Sequence, residues 1–157
     1  GELAAASRSV VVVACDAGRG VATQFAHDLS QLRDGVTFLD GTPVAVGRRL
    51  ALAGPSDVVV AVDLQRYDAW VLDAVRRLAE LGAEVIAVTD SRLSPLAASA
   101  MSTFVVSAEA AGPFDSYVAT LALLGAMTAG VADRLRHSAG ERLERMEHMW
   151  QSMGALD

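Results

Sequence analysis

Short apolar runs recur along the chain at Val10 to Ala14, Val36 to Leu39, Val58 to Val62, Val85 to Val88 and Phe104 to Val106, each bounded by turn residues. They predict five strands. Their near-continuous Val, Ile and Leu character is that of parallel strands covered on both faces, whereas half-exposed antiparallel strands alternate with polar residues. Between the runs the spacing becomes helical, at Val21, Phe25, Leu29 and Leu32 and again at Val71, Val75, Leu78 and Leu81, with Gly82 placed to end the second helix. Alternating strands and helices, closed by helices, predict an α/β fold. It is a three-layer αβα sandwich around a five-stranded parallel sheet, because parallel neighbours need crossover connections.

The second half carries further signals. Ser94-Pro95 has the form of an N-cap followed by proline at the first helical position, predicting a short helix through Ala100. Asp115 to His137 predicts a long helix that is apolar almost all round and is therefore covered on both sides. Ser138-Ala139-Gly140-Glu141 fits a capping box, and Leu143, Met146, Trp150 and Met153 form one seam on a final helix. Packing within the chain and a dimer contact both account for that seam. The uncharged stretch Ser116 to Ala132 falls short of the roughly 20 apolar residues a membrane span needs. No membrane contact and no signal peptide are expected.

Composition narrows the function. With 157 residues, 52% apolar and 20% charged, the chain is read as one globular domain over residues 1–157 rather than a disordered segment. The net charge of −6 argues against direct reading of duplex DNA. All 13 basic residues are arginine and no lysine is present. This excludes a Schiff base or a Walker lysine but leaves bidentate anion recognition open. A single cysteine, Cys15, precludes an internal disulfide and fits a reducing cytoplasm. The start at Gly1 suggests a chain processed or cut from something longer.

Ligands of open α/β sheets bind beyond the carboxyl ends of the strands, at the switch in strand order. The loops to consider are Cys15 to Gly20, Asp63 to Asp68 and Thr89 to Arg92, each with one arginine and at least one aspartate. Gly18 and Gly20 could bring backbone N–H groups onto an anion, or could merely permit a tight turn. Thr23 stands where a dinucleotide fingerprint needs its third glycine, so no nucleotide cofactor is expected. Arg19, Arg66 and Arg92 could converge on a phosphate or carboxylate, or could each serve a neighbouring aspartate. Asp16, Asp63 and Asp90 could gather a hard cation, but a structural role is the better reading. His27, His137 and His148 lack metal-ligand spacing, Cys15 reads as a small core residue, and Glu109 reads as a rim carboxylate or a base.

The loops, the stretch Thr89-Asp90-Ser91-Arg92-Leu93-Ser94-Pro95-Leu96-Ala97 and the helix start Phe114-Asp115-Ser116-Tyr117-Val118-Ala119 resemble the sugar isomerase (SIS) domain. They are most similar to the effector-binding domain of RpiR-type bacterial transcription regulators, and the likeness covers nearly the whole chain. The resemblance implies a flavodoxin-like sheet of order 2-1-3-4-5, a homodimer formed through helices, and a sugar phosphate at the strand ends. It implies a non-catalytic sensor without a cofactor, whose DNA contact belongs to an N-terminal helix-turn-helix domain absent from this chain. The implied ligand residues are Asp16, Gly18, Arg19, Gly20, Asp63, Gln65, Arg66, Asp68, Thr89, Ser91, Arg92 and Glu109. The family presents hydroxyls where this chain has Gly20, Asp63, Gln65 and Asp68. Either the arginines rebuild the anion site, or the ligand is neutral or cationic, or the domain is a ligand-free dimerisation module. A phosphosugar isomerase with Glu109 or a histidine moving the proton is the rival from another class.

Overall fold

The computed structural model describes residues 1–5 and 8–156. The expected sheet is present, with strands β1 (Ser9–Ala14), β2 (Val36–Phe38), β3 (Asp57–Val62), β4 (Glu84–Thr89) and β5 (Ser102–Val105). They are all parallel, in the order β2-β1-β3-β4-β5. β1 and β3 lie side by side from Val10 against Val58 to Ala14 against Val62. Side chains on a strand alternate between faces, so Val10, Val12, Val58, Val60 and Val62 enter one core and Val11, Val13, Val59 and Ala61 the other. Each fully buried valine contributes about 1.5 kcal/mol or more.

Helices α1 (Arg19–Leu32), α4 (Val118–Arg134) and α5 (Arg136–Met153) lie on the first face, and α2 (Pro43–Ala51) and α3 (Ala69–Glu80) on the second. α1 buries Ala22, Phe25, Ala26, Leu29 and Leu32, a stripe at three- and four-residue spacing. α2 begins with Thr42, whose hydroxyl accepts from the Ala45 N–H at 3.3 Å, followed by Pro43 at the first helical position. It buries no residue completely, which leaves room beneath it.

α3 buries Val71, Ala74, Val75 and Leu78 and ends before Leu81, which is 45% exposed rather than part of the stripe. Gly82 terminates it with φ +92°, and a Cβ there would lie 3.0 Å from Pro55 Cγ. Gly82→Ala is therefore expected to cost about 1–3 kcal/mol, from a left-handed backbone that side chains disfavour and from contact with a stiff proline ring. Urea unfolding measures it, and an unchanged midpoint would show that the turn relaxes.

Other local expectations are corrected. The Ser94-Pro95 helix is only a 3-10 turn, Ala97–Ser99, although the Ser94 hydroxyl does accept from the Ala97 N–H at 3.2 Å. The fifth strand runs from Ser102 to Val105, earlier than its apolar run suggested. Ser138 is no N-cap. Leu135 ends α4 and starts α5 at a bend of 102°, so the helix is under way before Ser138, whose hydroxyl donates to the Leu135 carbonyl at 3.2 Å. The long helix expected over Asp115 to His137 is also corrected: α4 spans Val118–Arg134, and His137 belongs to α5. α4 buries Thr120, Leu124 and Val131 but leaves Val118 and Leu121 exposed instead of being covered on both sides within this chain. The α5 seam is open too, with Met153 71% exposed. Among the described residues no single helix is long and apolar enough to cross a membrane.

Candidate functional site

The carboxyl ends of β1, β3 and β4 meet, as the topology requires, and their loops are tied together by aspartates. The Asp16 N–H donates to Asp68 Oδ2 at 3.3 Å, joining the first loop to the third. The Asp68 N–H in turn donates to Asp63 Oδ2 at 2.8 Å. Asp63 is fully buried, and its Oδ1 has no hydrogen-bond partner among the described residues. Burial pushes its carboxyl up to about 6, against the pull of the Asp68 N–H and the Cys15 thiol. The third loop thus carries its own carboxylate at the start of α3, where the partial positive charge of a helix N-terminus favours an anion.

Asp90 holds the other side. Its Oδ1 accepts from the Tyr67 hydroxyl at 2.8 Å, the Gln65 N–H at 3.1 Å and the Thr89 hydroxyl at 3.4 Å. Burial acts to raise its pKa, but these donors outweigh it and hold the carboxyl below its ordinary value. Gln65, at φ +57°, is the only non-glycine residue with positive φ among the described residues. Strain of this kind collects where the surroundings over-determine a loop, here through the Asp90 bond to the Gln65 N–H.

The first loop is closed inward. Cys15 is buried, its thiol pKa raised by desolvation, and its Sγ accepts from the Gly18 N–H at 3.3 Å. The Tyr117 hydroxyl lies 3.4 Å from the same sulfur. A Cβ on Gly18 would come within 3.2 Å of both Cys15 Sγ and the Tyr117 ring. Gly18 therefore serves close packing, and its N–H is committed to sulfur. Gly20, in the first turn of α1, has open space around it.

The three arginines do not converge. Arg19 closes both terminal nitrogens on the two Asp40 oxygens and sits over the Phe38 ring, 5.6 Å from its centroid. The Asp40 carboxyl is held below its usual range by that guanidinium. Arg66 and Arg92 are exposed, form no ion pair among the described residues, and line neither cleft that Arg19 lines. Ser91 accepts from the Leu93 N–H at 3.1 Å, and exposed Glu109 donates its own N–H to Ser107 at 3.2 Å. Among the described residues no group of three or more side chains is placed to hold a metal ion.

Beside these loops opens a cleft of about 470 Å³ between the end of β2, α2 and the first turns of α3. Asp16 and Arg19 line it together with Phe38, Asp40 and Trp70. Asp40, Trp70, Tyr67 and Tyr117 are missing from the sequence-based site. The Asp40-Gly41 pair directly after the second apolar run was the available signal for the first of them.

No curated protein sequence matches the chain significantly. Solved structures do. The sugar isomerase domain of an RpiR transcription factor from Sphaerobacter thermophilus is 27% identical, with a TM-score of 0.87 over 94% of this chain and 82% of that one. The Vibrio vulnificus NanR protein complexed with ManNAc-6P is 14% identical, with a TM-score of 0.74 over 97% of this chain and 59% of that one. A hypothetical protein from Methanococcus jannaschii, whose structure infers a 3-hexulose-6-phosphate isomerase function, is 12% identical. Its TM-score is 0.69, over 88% of this chain and 77% of that one. Regulators and phosphosugar isomerases thus share this fold. The family model of the SIS domain matches residues 2–129, which contain the whole sheet and every strand-end loop described above, and the chain belongs to the SIS domain family.

Proposed function

We propose that this domain is the effector-sensing and dimerisation unit of a cytoplasmic transcription regulator, binding a sugar phosphate or related small metabolite at the strand ends. The observation that carries the reading is the superposition on the RpiR transcription factor domain, at TM-score 0.87 over 94% of the chain. In this reading DNA is touched by a helix-turn-helix domain outside residues 1–157. The site chemistry favours sensing over catalysis. Proton transfer between adjacent carbons needs a base at the reacting atoms. The carboxylates near the crevice are poorly placed for this: Asp63 is fully buried, Asp90 Oδ1 accepts from three donors, and Asp16 and Glu109 are exposed with no hydrogen bond from a described residue to orient their carboxylates. Exposed Phe104, Phe114, Val118 and Leu121 on and around β5 and α4 are the apolar side chains that a homodimer contact in this reading would cover.

A thermal-shift screen of pentoses, hexoses, hexosamines, sugar acids and their phosphates tests this reading. A ligand at about 100 times its dissociation constant adds about 2.7 kcal/mol, which moves the midpoint by several degrees. We expect a specific hit, no turnover of aldose or ketose phosphates, and a dimer by light scattering. Turnover would replace the sensor with an isomerase. Silence throughout the panel would leave a structural module, and a monomer would remove the dimer.

A further inference from the structure

The cleft between α2 and α3 has the size and chemistry of a subsite for one monosaccharide. Its volume of about 470 Å³ lies within the range of small-molecule pockets. Its walls are apolar, with Phe38 on one side, Trp70 on another, and Val46 and Leu50 of α2 closing it. Trp70, on the first turn of α3, is 41% exposed, so part of its ring is available to the C–H face of a sugar or to an ammonium group.

The charge of the cleft decides what it accepts. Of the three carboxylates that line it, Asp40 is paired with Arg19 and Asp73 with Arg76 and Arg77, which leaves Asp16 as the one unpaired among the described residues. Arg19 is unavailable as a phosphate fork because both terminal nitrogens are closed on Asp40. Asp73 is held by Arg76 at 2.6 Å and Arg77 at 2.7 Å, neither of which lines the cleft. The Asp16 carboxylate accepts no hydrogen bond from any described residue and is exposed. Next to Asp16 stands Asp68, which precedes α3 and whose N–H is bonded to the buried Asp63 at the end of β3. A phosphate dianion meets like charge on this side, while hydroxyl and ammonium donors meet acceptors.

We propose that this cleft holds the effector and selects a non-phosphorylated sugar, neutral or amino-bearing, stacked on Trp70 with its donors on Asp16. The proposal rests on the effector-sensing reading above and specifies its ligand class. The test uses the full chain with Trp150→Phe, which leaves Trp70 as the sole tryptophan of the two. Glucose, glucosamine, glucose 6-phosphate and glucosamine 6-phosphate are titrated while emission is followed, with thermal shift in parallel.

We expect the unphosphorylated sugars to change Trp70 emission and the 6-phosphates to bind at least about tenfold more weakly. Added salt should narrow that gap, because it screens exposed like charges. Asp40→Asn frees the Arg19 fork and is expected to reverse the order in favour of the esters. A 6-phosphate that binds wild type as tightly as its parent sugar overturns the ligand class and leaves the effector reading intact. A sugar that stabilises the protein without altering Trp70 emission overturns the cleft as its site. If none of the four probes binds while another compound of the wider screen does, this proposal fails alone, and if nothing binds in either experiment both readings fail.

Discussion

Asp63→Asn is expected to raise the thermal midpoint at pH 8 by roughly 4–8 °C, corresponding to about 2 kcal/mol for a chain of this size. The cause is an acid kept where its charge is unwelcome. In the unfolded chain Asp63 ionises near 3.8, while in the fold burial moves it to about 6. Because the folded pKa is the higher one, the folded state holds the proton more tightly. The contribution of Asp63 to stability is therefore most favourable below pH 4, falls as pH rises from about 4 to 6, and stays lowered above that. The difference between the two values corresponds to about 3 kcal/mol at neutral pH. Asparagine keeps an oxygen for the Asp68 N–H and removes the charge, but its own amide N–H groups are buried in turn and offset part of the gain. Calorimetry of both proteins at pH 4 and pH 8 separates the outcomes. A benefit equal at both values would show that charge is not what makes Asp63 costly.

Arg33→Ala is expected to lose about 3–5 kcal/mol and to release the N-terminal segment from the body of the domain. Arg33 follows α1, is only 8% exposed, and directs its guanidinium entirely at backbone carbonyls. Nη1 donates to Leu3 at 2.6 Å and Ala5 at 3.0 Å, Nε to Asp34 at 2.9 Å, and Nη2 to the Arg8 carbonyl. Charged donors of this kind contribute about 1.5–3 kcal/mol each, and their removal leaves carbonyls short of partners. Leu3, which this clamp holds in the core beside Val131, is exposed as a result. Arg33→Lys is expected to recover less than half, because one ammonium cannot span carbonyls arranged for a planar fork. Urea unfolding gives the loss, and rapid protease cleavage near the N-terminus reports the release. A variant within about 1 kcal/mol of wild type would show that the segment is held by Leu3 alone.

Much of the architecture was legible because its signals are local. Val10 to Ala14 and Val58 to Val62 read as doubly covered parallel strands, and they are two of the three interior strands. Gly82 read as a helix terminator and has the left-handed backbone such a glycine supplies. The motif that carried the family resemblance lies within the residues that the SIS model matches. Ser138 misled because a capping box needs a chain entering from outside the helix, and the bend at Leu135 leaves no such entry. The α5 seam was correctly seen as apolar, but the sequence could not say whether it would be covered. In this chain Leu143, Trp150 and Met153 remain exposed.

By itself, the sequence determined the strands, their parallel arrangement and the absence of lysine chemistry. Periodicity and residue inventory are properties of neighbouring positions, and they survive without knowledge of the fold. Pairing is different. That Arg19 is closed on Asp40, that Asp90 Oδ1 accepts from Tyr67 and Gln65, and that Tyr117 covers Cys15 from 102 residues away depended on tertiary structure. An arginine in a loop is an anion site or half of an ion pair according to what the next strand brings beside it. Buried charge likewise exists only once the chain has excluded water, so Asp63 became the unusual acid of this domain through folding alone.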